Sequence, residues 1–530
     1  MPEPAIAMNP IAGSGDPKID MLYARSFRLT ITSLLALAIA GCSGDDTAGE
    51  DDYGGGDEAA GDEYGEEEEV EDPAEDTDTD TTESETGEPV CNDVDDVILY
   101  LSPDDSNSTS SPAQVADRVL ADGATILDGI PIRVWEFMNY YGFDYAPAED
   151  GTLAISAAMQ PVAEIDARYR LQLAVASEQM SAEERPPLNL TLVMDTSGSM
   201  EGEAIELLRE SGKVIAAQLR VGDRVSMVEW NTENNWVLGG YEVEGPSDPT
   251  LIDAIDALTP GGGTDLNGGL LSGYELAQDV FDPEALNRLV LISDGGANAG
   301  EVEPGLIAQN AAYAGADGIY LVGVGVRSTD MPYNDTLMDT VTDEGKGASL
   351  FIDSAAEAQK MFGDQFISTM AIAARNVQVE LTMPPGFEIV KFSGEEFSGN
   401  PEEIEPQHIA PNDAIVFHQQ IETCAPQLIT DETPISVKLT WEDVWTFEPQ
   451  ELTASWTFAE LFGAEPSLLL EGAAVLAYAE GLEAYKSATD DSQKSAALAP
   501  AIAAVEAAQV ALPEDPDLAE IASILAALSP

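Results

Sequence analysis

The chain has 530 residues, of which 21 are Lys or Arg and 99 are Asp or Glu, and its formal net charge is −78. This charge argues against nucleic acid or an anionic membrane surface as a partner, because both are themselves negative. The two histidines, His408 and His418, offer little material for acid–base or nucleophilic catalysis, and we expect both to be structural or surface residues.

The first segment has the features of a secretory signal peptide. Two arginines precede an apolar run over residues 29–40, which is too short for a typical membrane-spanning helix. The tripeptide Ile-Ala-Gly before Cys42 resembles the lipobox of bacterial lipoproteins, in which the cysteine is lipidated. We therefore predict a signal peptide over residues 1–41 and a lipidated Cys42; the alternative is an ordinary signal peptide with a cysteine there by chance. Because Ser43 rather than Asp follows the cysteine, the resemblance implies that the lipoprotein is sorted to the outer membrane.

An acidic, low-complexity segment follows. Residues 42–90 contain no Lys or Arg and show no apolar periodicity. Self-repulsion of the acidic side chains predicts an extended, disordered tether, which would hold the folded part away from the lipid layer.

Two further cysteines, Cys91 and Cys424, belong to the exported part of the chain. An oxidising compartment permits a disulfide between them, which would join the start of the folded part to a late β-region. Two unpaired cysteines are the other interpretation, and the sequence leaves both open.

The rest of the chain divides into four regions. Residues 91–187 form a flanking α+β segment that includes an aromatic helix, Ile132–Tyr141, which we expect to pack in the core. Residues 188–372 alternate apolar strands with helices, the pattern of a doubly wound α/β sheet. Residues 373–460 have the alternating strands of an antiparallel β-sandwich. The Ala- and Leu-rich residues 461–530 predict a helical hairpin and a third short helix.

Several elements of the α/β region can be predicted individually. Trp236–Val243 follows its predecessor after a short loop and is expected to be an antiparallel edge strand. Pro304–Ala314 and Ala355–Met370 are each predicted as one helix. Strands over residues 153–176 precede this region and others follow it, so the simplest topology inserts the α/β domain into one β-domain built from both flanks.

The clearest functional signal is a group of oxygen-bearing side chains at the ends of apolar segments. A buried strand over residues 190–194 runs into an Asp-x-Ser-x-Ser loop, a threonine follows three glycines before a helix, and a second buried strand ends in Asp-Gly. The carboxyl ends of parallel strands meet at one edge of a doubly wound sheet, where ligands bind. Hydroxyl and carboxylate oxygens are ligands for hard cations such as Mg²⁺. The set consists of Asp195, Ser197, Ser199, Thr264 and Asp294.

This ordered set resembles the metal-ion-dependent adhesion site (MIDAS) of von Willebrand factor type A (VWA) domains. The resemblance implies that the three hydroxyl residues are direct metal ligands and that the two aspartates are direct or water-mediated ones. It implies Mg²⁺ as the metal, with Ca²⁺ or Mn²⁺ as alternatives, and an open coordination position for a carboxylate of a protein partner. The segment Trp135–Tyr145 is similar to the one that precedes the VWA domain in a group of bacterial VWA lipoproteins. No Gly-Lys-Ser/Thr follows the glycines 261–263, which argues against a phosphate cradle.

Three functions are compatible with these features. The favoured one is a non-enzymatic, lipid-anchored binding protein of the cell envelope that uses its metal to bind an acidic side chain of a protein partner. The second is a structural envelope component in which the metal only stabilises the loops. The third is a non-catalytic subunit of a metal-dependent enzyme complex, although the sequence contains no nucleophile–base pair, zinc cluster or nucleotide motif that supports it.

Overall fold

The structure is a computed structural model that describes residues 91–103, 108–163, 165–298, 300, 318–327, 333–345 and 347–530. The predicted signal peptide, Cys42, the acidic tether and the predicted helix Pro304–Ala314 lie outside the described residues. Within these ranges, none of the helices combines the length and apolarity needed to cross a membrane.

The described residues form a β-sandwich, an α/β domain and a C-terminal group of helices. The strands are β1 (Val97–Ser102), β2 (Ala154–Pro161), β3 (Arg168–Ala176), β4 (Leu188–Asp195), β5 (Arg224–Trp230), β6 (Asn234–Glu242), β7 (Leu286–Ser293), β8 (Tyr320–Val326), β9 (Ser349–Ile352), β10 (Ala374–Met383), β11 (Phe387–Lys391), β12 (Glu396–Ser398), β13 (Gln407–Ile409), β14 (Ala414–Thr423), β15 (Pro434–Glu442) and β16 (Pro449–Thr457). The helices are α1 (Ser110–Ala116), α2 (Val134–Tyr140), α3 (Glu203–Gln218), α4 (Pro249–Ala257), α5 (Leu266–Asp279), α6 (Asp335–Glu344), α7 (Ala355–Gln359), α8 (Phe366–Met370), α9 (Phe458–Gly463), α10 (Ser467–Ser487), α11 (Asp491–Ala511) and α12 (Pro516–Leu528).

The α/β domain is built on a six-stranded sheet in the order β6-β5-β4-β7-β8-β9. All pairs in it are parallel except β5–β6, so β6 is the antiparallel edge strand that the short preceding loop predicted. Alternate residues of β4 face opposite sides: Leu192 and Met194 join a core with α3 and α4, and Val193 joins a core with α5 and α6. Helices therefore cover both faces, which explains why β4 is buried along its whole length.

The β-sandwich contains strands from both sides of the α/β domain. One sheet has the order β12-β1-β10-β15-β16, with β13 also paired to β10, and the other has the order β11-β14-β3-β2. Their apolar faces share one hydrophobic cluster, in which Leu101 and Leu173 from the first flank meet Val379, Phe417 and residues of β15 from the second. The α/β domain is therefore an insertion into the sandwich, the topology predicted from the strand pattern.

Polar contacts hold the two places where the chain enters and leaves the α/β domain. At the entry, the guanidinium of Arg185 donates to both carboxylate oxygens of Asp223, and both residues are almost completely buried. Asp223 also accepts hydrogen bonds from the backbone N–H groups of Leu188 and Arg220, at 2.9 and 2.8 Å. At the exit, Arg288 Nε donates to the carbonyl oxygen of Met370 at 2.8 Å.

The aromatic helix α2 packs in the core, as its sequence predicted. Phe137 and Tyr141 are buried and make edge-to-face contacts with Tyr478 of α10, with ring centroids 5.4 and 6.2 Å apart. The same cluster contains α11 and α12, so the C-terminal helices and the segment before the α/β domain stabilise each other.

A disulfide joins Cys91 to Cys424, with the Cα atoms 5.8 Å apart. It connects the first described residues to the chain just after β14, across 333 positions of sequence. The sequence had left open whether these cysteines pair, and the structure contains the pair.

The prediction of one continuous helix over Ala355–Met370 was wrong. The chain forms α7, then a π-helical turn over Lys360–Asp364, then α8. The N–H of Gln365 bonds to the carbonyl oxygen of Lys360 at 2.9 Å, a bond to the fifth preceding residue that widens the helix locally. Hydrophobic periodicity cannot detect one extra residue in a turn, since the apolar face continues on either side.

Gln419 of β14 is a buried polar residue whose loss of hydration is not offset by side-chain hydrogen bonds. Its side chain is 0 % exposed, and neither its Oε1 nor its Nε2 has a hydrogen-bond partner among the described residues. We expect Gln419→Met to raise the free energy of unfolding by about 1–3 kcal/mol, because it removes two unpaired polar atoms from the core at similar volume. Urea denaturation of the two proteins measures this difference.

Gln172 of β3 provides the matched comparison. It is equally buried, but its Nε2 donates to Tyr145 Oη and to the carbonyl oxygen of Leu468, both at 2.8 Å, and its Oε1 lies 2.8 Å from Nδ1 of His418. The same change, Gln172→Met, should therefore lower the free energy of unfolding. If both substitutions destabilise the protein, Gln419 contributes something that its contacts do not show.

Candidate metal centre

Asp195 is the last residue of β4, at the carboxyl edge of the α/β sheet, and its side chain is fully buried. Its Oδ1 accepts a hydrogen bond from the backbone N–H of Ser197 at 2.7 Å, and its Oδ2 accepts one from Oγ of Ser293 at 2.6 Å. Burial raises the pKa of Asp195 to about 7, and the negative charge of Asp294 adds to this, while the hydrogen bonds from the serines oppose it. The carboxylate is thus held in one orientation in a place that disfavours its charge.

The next loop places two hydroxyl groups side by side. Ser197 is buried and Ser199 is half-buried in a 3₁₀ turn, and their Oγ atoms are 3.0 Å apart. Gly198 between them donates its N–H to the carbonyl oxygen of Gly262, and a Cβ atom there would lie only 3.1 Å from that oxygen. A glycine at this position therefore lets the serine loop pack directly on the glycine-rich loop.

The glycine-rich loop contributes Thr264, which is 1 % exposed and lies two residues before α5. Asn298 makes three hydrogen bonds with Thr264. Its Oδ1 accepts from the N–H of Thr264 at 2.9 Å, its Nδ2 donates to Oγ1 at 3.1 Å, and its own N–H donates to the threonine carbonyl at 3.0 Å. The hydroxyl of Thr264 therefore has a defined position although it is in a loop and not at the end of a strand.

Asp294 follows β7 and completes the group. Its Oδ1 accepts from the N–H of Gly296 at 3.1 Å, but its Oδ2 is buried and has no hydrogen-bond partner among the described residues. A Cβ atom built on Gly296 would lie 3.2 Å from Oδ1 of Asp294, 3.6 Å from Cγ2 of Thr264 and 3.8 Å from Oγ of Ser199. Three separate loops thus converge around this glycine.

These residues fit a hard divalent cation. The five predicted side chains lie on three loops that meet at one edge of the sheet, and neither aspartate forms an ion pair with a described Lys or Arg. A buried carboxylate oxygen without a partner is costly unless something positive binds it. Groups of three or more His, Cys, Asp or Glu suited to a metal do not occur among the described residues, so any metal held here depends on the hydroxyl groups as well.

Two positioning residues were missed from the sequence, Ser293 and Asn298. The parallel register pairs Met194 with Ile292, so the next residue of β7, Ser293, comes beside Asp195. Its position in the sequence could have indicated this role. A serine in a largely apolar buried strand, directly before Asp294, does not contribute to an apolar core and is therefore a candidate for the site. Asn298 carried no such signal, because only the folded loops bring it to Thr264.

We expect Ser293→Ala to weaken divalent-cation binding by roughly tenfold or more, because partners that orient a metal ligand typically contribute a factor of 10–100. Isothermal titration with Mg²⁺ measures this. Ser226→Ala is the control, since Ser226 is also fully buried but its Oγ accepts the N–H of Gly240, at the far side of β5. Equal affinities for the two variants would show that Ser293 does not position Asp195.

Both histidines, which the sequence predicted to be structural or surface residues, make contacts within the β-sandwich. His418 is buried against Gln172, and Nδ1 of His408 accepts the N–H of Asn376 at 3.1 Å.

A doubly wound sheet with this arrangement of loops defines the VWA class of domain. Residues 189–364 match the family model for the von Willebrand factor type A domain, and the chain therefore contains such a domain. VWA domains commonly bind a divalent metal at the edge of the sheet where the five side chains lie.

The sequence similarity to other proteins extends beyond that domain. An uncharacterized protein, YfbK, from Escherichia coli (strain K12) is 26 % identical over 265 residues, which cover 48 % of this chain and 45 % of that protein. Inter-alpha-trypsin inhibitor heavy chain H2 from Sus scrofa is 27 % identical over 205 residues, which cover 36 % of this chain and 21 % of that protein. The chain thus spans less than half the length of these two relatives. The solved structure of a von Willebrand factor type A protein from Catenulispora acidiphila aligns with 73 % of this chain and 99 % of its own, at 16 % identity and a TM-score of 0.45.

Proposed function

We propose that this protein is a non-enzymatic binding protein of the cell envelope that holds a divalent metal, Mg²⁺ by preference, and uses it to bind an acidic side chain of a protein partner. Ser197, Ser199 and Thr264 would be direct ligands, and Asp195 and Asp294 direct or water-mediated ones. The proposal includes an anchor at a lipidated Cys42 in the outer membrane, with the folded part facing the periplasm or the cell surface.

The observation that carries this proposal is the unpartnered Oδ2 of Asp294. It is buried beside the hydroxyl-bearing loops of Ser199 and Thr264, and no described side chain neutralises it. A bound dication would supply the missing positive charge and, with only two carboxylates near it, would remain electrophilic enough to attract a third from outside. Ser199 is half-exposed, so the loop has a side open to a partner.

The test is capture of envelope proteins by the purified protein in Mg²⁺, in EDTA, and with Asp195→Ala. The proposal expects partners that are retained only by the wild type in Mg²⁺. Glu201→Gln is the matched control, because Glu201 follows the same loop but is exposed. A structural metal would instead lower the melting temperature on removal and leave the captured proteins unchanged.

The net charge of −78 gives a further prediction about kinetics. A partner that offers a carboxylate is repelled at long range, so we expect added NaCl to speed association at constant Mg²⁺. The Debye length falls from about 30 Å at 0.01 M salt to about 8 Å at 0.15 M, which leaves the local metal in control. Stopped-flow or surface-based kinetics measure the on-rate, and a slower on-rate at higher salt would contradict a carboxylate-bearing partner.

A further inference from the structure

A cleft lies on the outer face of the four-stranded sheet, opposite the face that forms the sandwich core, between this sheet and the helices α10 and α11. Its volume is about 400 Å³, within the range of small-molecule sites. Its floor contains Arg170 and Gln420, and Lys391 lies at its edge. Its walls are apolar, with Leu476 from α10 and Ala504 from α11.

The strand register places the polar floor in a single row. Gln160 of β2 pairs with Arg170 of β3, Arg170 pairs with Gln420 of β14, and Gln420 pairs with Lys391 of β11. Residues in register across a sheet project from the same face. The adjacent residue, Leu171, belongs to the sandwich core, so the row faces outward, toward the helices.

Arg170 is a cation without a partner in this row. Its guanidinium forms neither a hydrogen bond nor an ion pair with any described residue, whereas Nζ of Lys391 lies 2.7 Å from Glu480 of α10. The chain has 99 acidic residues against 21 basic ones, yet the cross-strand neighbours of Arg170 are two glutamines. Burial lowers the pKa of His418 to about 3, and the positive charges of Arg170 and Lys391 add to this effect, so the imidazole beside Arg170 carries no charge at neutral pH.

The helices close one end of the cleft and leave the other open. At Gly472, α10 lies directly on the sheet: a Cβ atom there would be 2.0 Å from Oε1 of Gln172 and 3.2 Å from Nδ1 of His418. On the opposite wall, Ala503 and Ala507 of α11 also line the cleft and are exposed. The result is a groove with a polar floor, which contains Arg170, and apolar walls.

We propose that this cleft binds an anion that carries a single apolar chain. The planar guanidinium of Arg170 can donate two parallel hydrogen bonds to a carboxylate or phosphate, and the amide of Gln420 lies beside it. The apolar chain would lie along the walls that α10 and α11 form above the sheet and would cover the exposed alanines. This proposal is independent of the metal centre.

The experiment is calorimetric titration of the full chain with dodecanoate and with dodecyl phosphate. EDTA is present throughout, so that no metal can bind the headgroup. We expect saturable binding of one molecule per chain. Arg170→Gln should weaken it at least tenfold, and Arg118→Gln should leave it unchanged, because Arg118 also lacks a carboxylate hydrogen-bond partner but lies outside the cleft. The stronger of the two ligands identifies the headgroup.

Three controls make the proposal falsifiable. Acetate lacks the apolar chain and dodecyl maltoside lacks the charge, so neither should bind. Ala507→Trp, at an exposed helix position, should obstruct the apolar wall and weaken dodecanoate binding while the melting temperature is unchanged. Equal binding of dodecyl maltoside, equal affinity in Arg170→Gln, or no measurable binding of either anion would overturn the proposal.

Discussion

Asp294→Ala is expected to reduce Mg²⁺ affinity by roughly 100-fold or more, a larger loss than the 10–100-fold typical of residues that only orient ligands. In the absence of metal, the same change should leave the melting temperature unchanged or raise it, because it removes a buried carboxylate oxygen that has no partner. Calorimetry with Mg²⁺ and thermal unfolding in EDTA measure the two effects.

The two measurements together exclude misfolding of the variant as the cause of its lost Mg²⁺ binding. A variant that binds no metal because it is misfolded would lose stability in EDTA as well. Glu201→Gln, which removes an exposed carboxyl group near the same loop, should change neither quantity. Retained Mg²⁺ affinity in Asp294→Ala would remove the main support for the metal centre.

Asp223→Ala is expected to lower the free energy of unfolding by about 3–5 kcal/mol, because it leaves the buried guanidinium of Arg185 without its counter-charge. It also removes the acceptor for the N–H groups of Leu188 and Arg220 at the start of the α/β domain. Urea denaturation measures the loss.

The exposed pair between Lys213 and Asp256 is the matched control for this prediction. Its atoms are 2.6 Å apart, but the two side chains are 36 % and 51 % exposed. Asp256→Ala should therefore change the free energy of unfolding by only about 0–1 kcal/mol. Similar losses in Asp223→Ala and Asp256→Ala would mean that burial of the Arg185 pair adds nothing to stability.

Local sequence signals predicted the α/β domain well, including the carboxyl edge of its sheet. Apolar runs marked β4 and β7, and a helical signal with glycines before it marked the loop of Thr264. The order of strands and helices then required the ends of β4 and β7 to meet at one edge of the sheet. Chain order alone could therefore bring Asp195 and Asp294 together.

The partners of the supporting side chains were beyond such reasoning, although the position of Ser293 directly before Asp294 was visible in the sequence. Ser293 reaches Asp195 only through the parallel register of β4 and β7, and Asn298 reaches Thr264 only once two loops have folded against each other. The isolation of Arg170 likewise depends on which residues three neighbouring strands place beside it. Periodicity identifies the faces of a strand, but it carries no information about its neighbours.

The sequence by itself determined most of the strands and helices and the set of oxygen-bearing side chains, because local patterns encode which face of each element is apolar and where each element ends. Only the tertiary structure decided how distant segments pair. It joined β1 and β3 to strands that lie more than 200 positions later, paired Cys91 with Cys424, and placed an unpartnered carboxylate oxygen of Asp294 among the hydroxyl-bearing loops. These choices depend on the register and packing of whole sheets, in which each contact is favourable only when many others form at once.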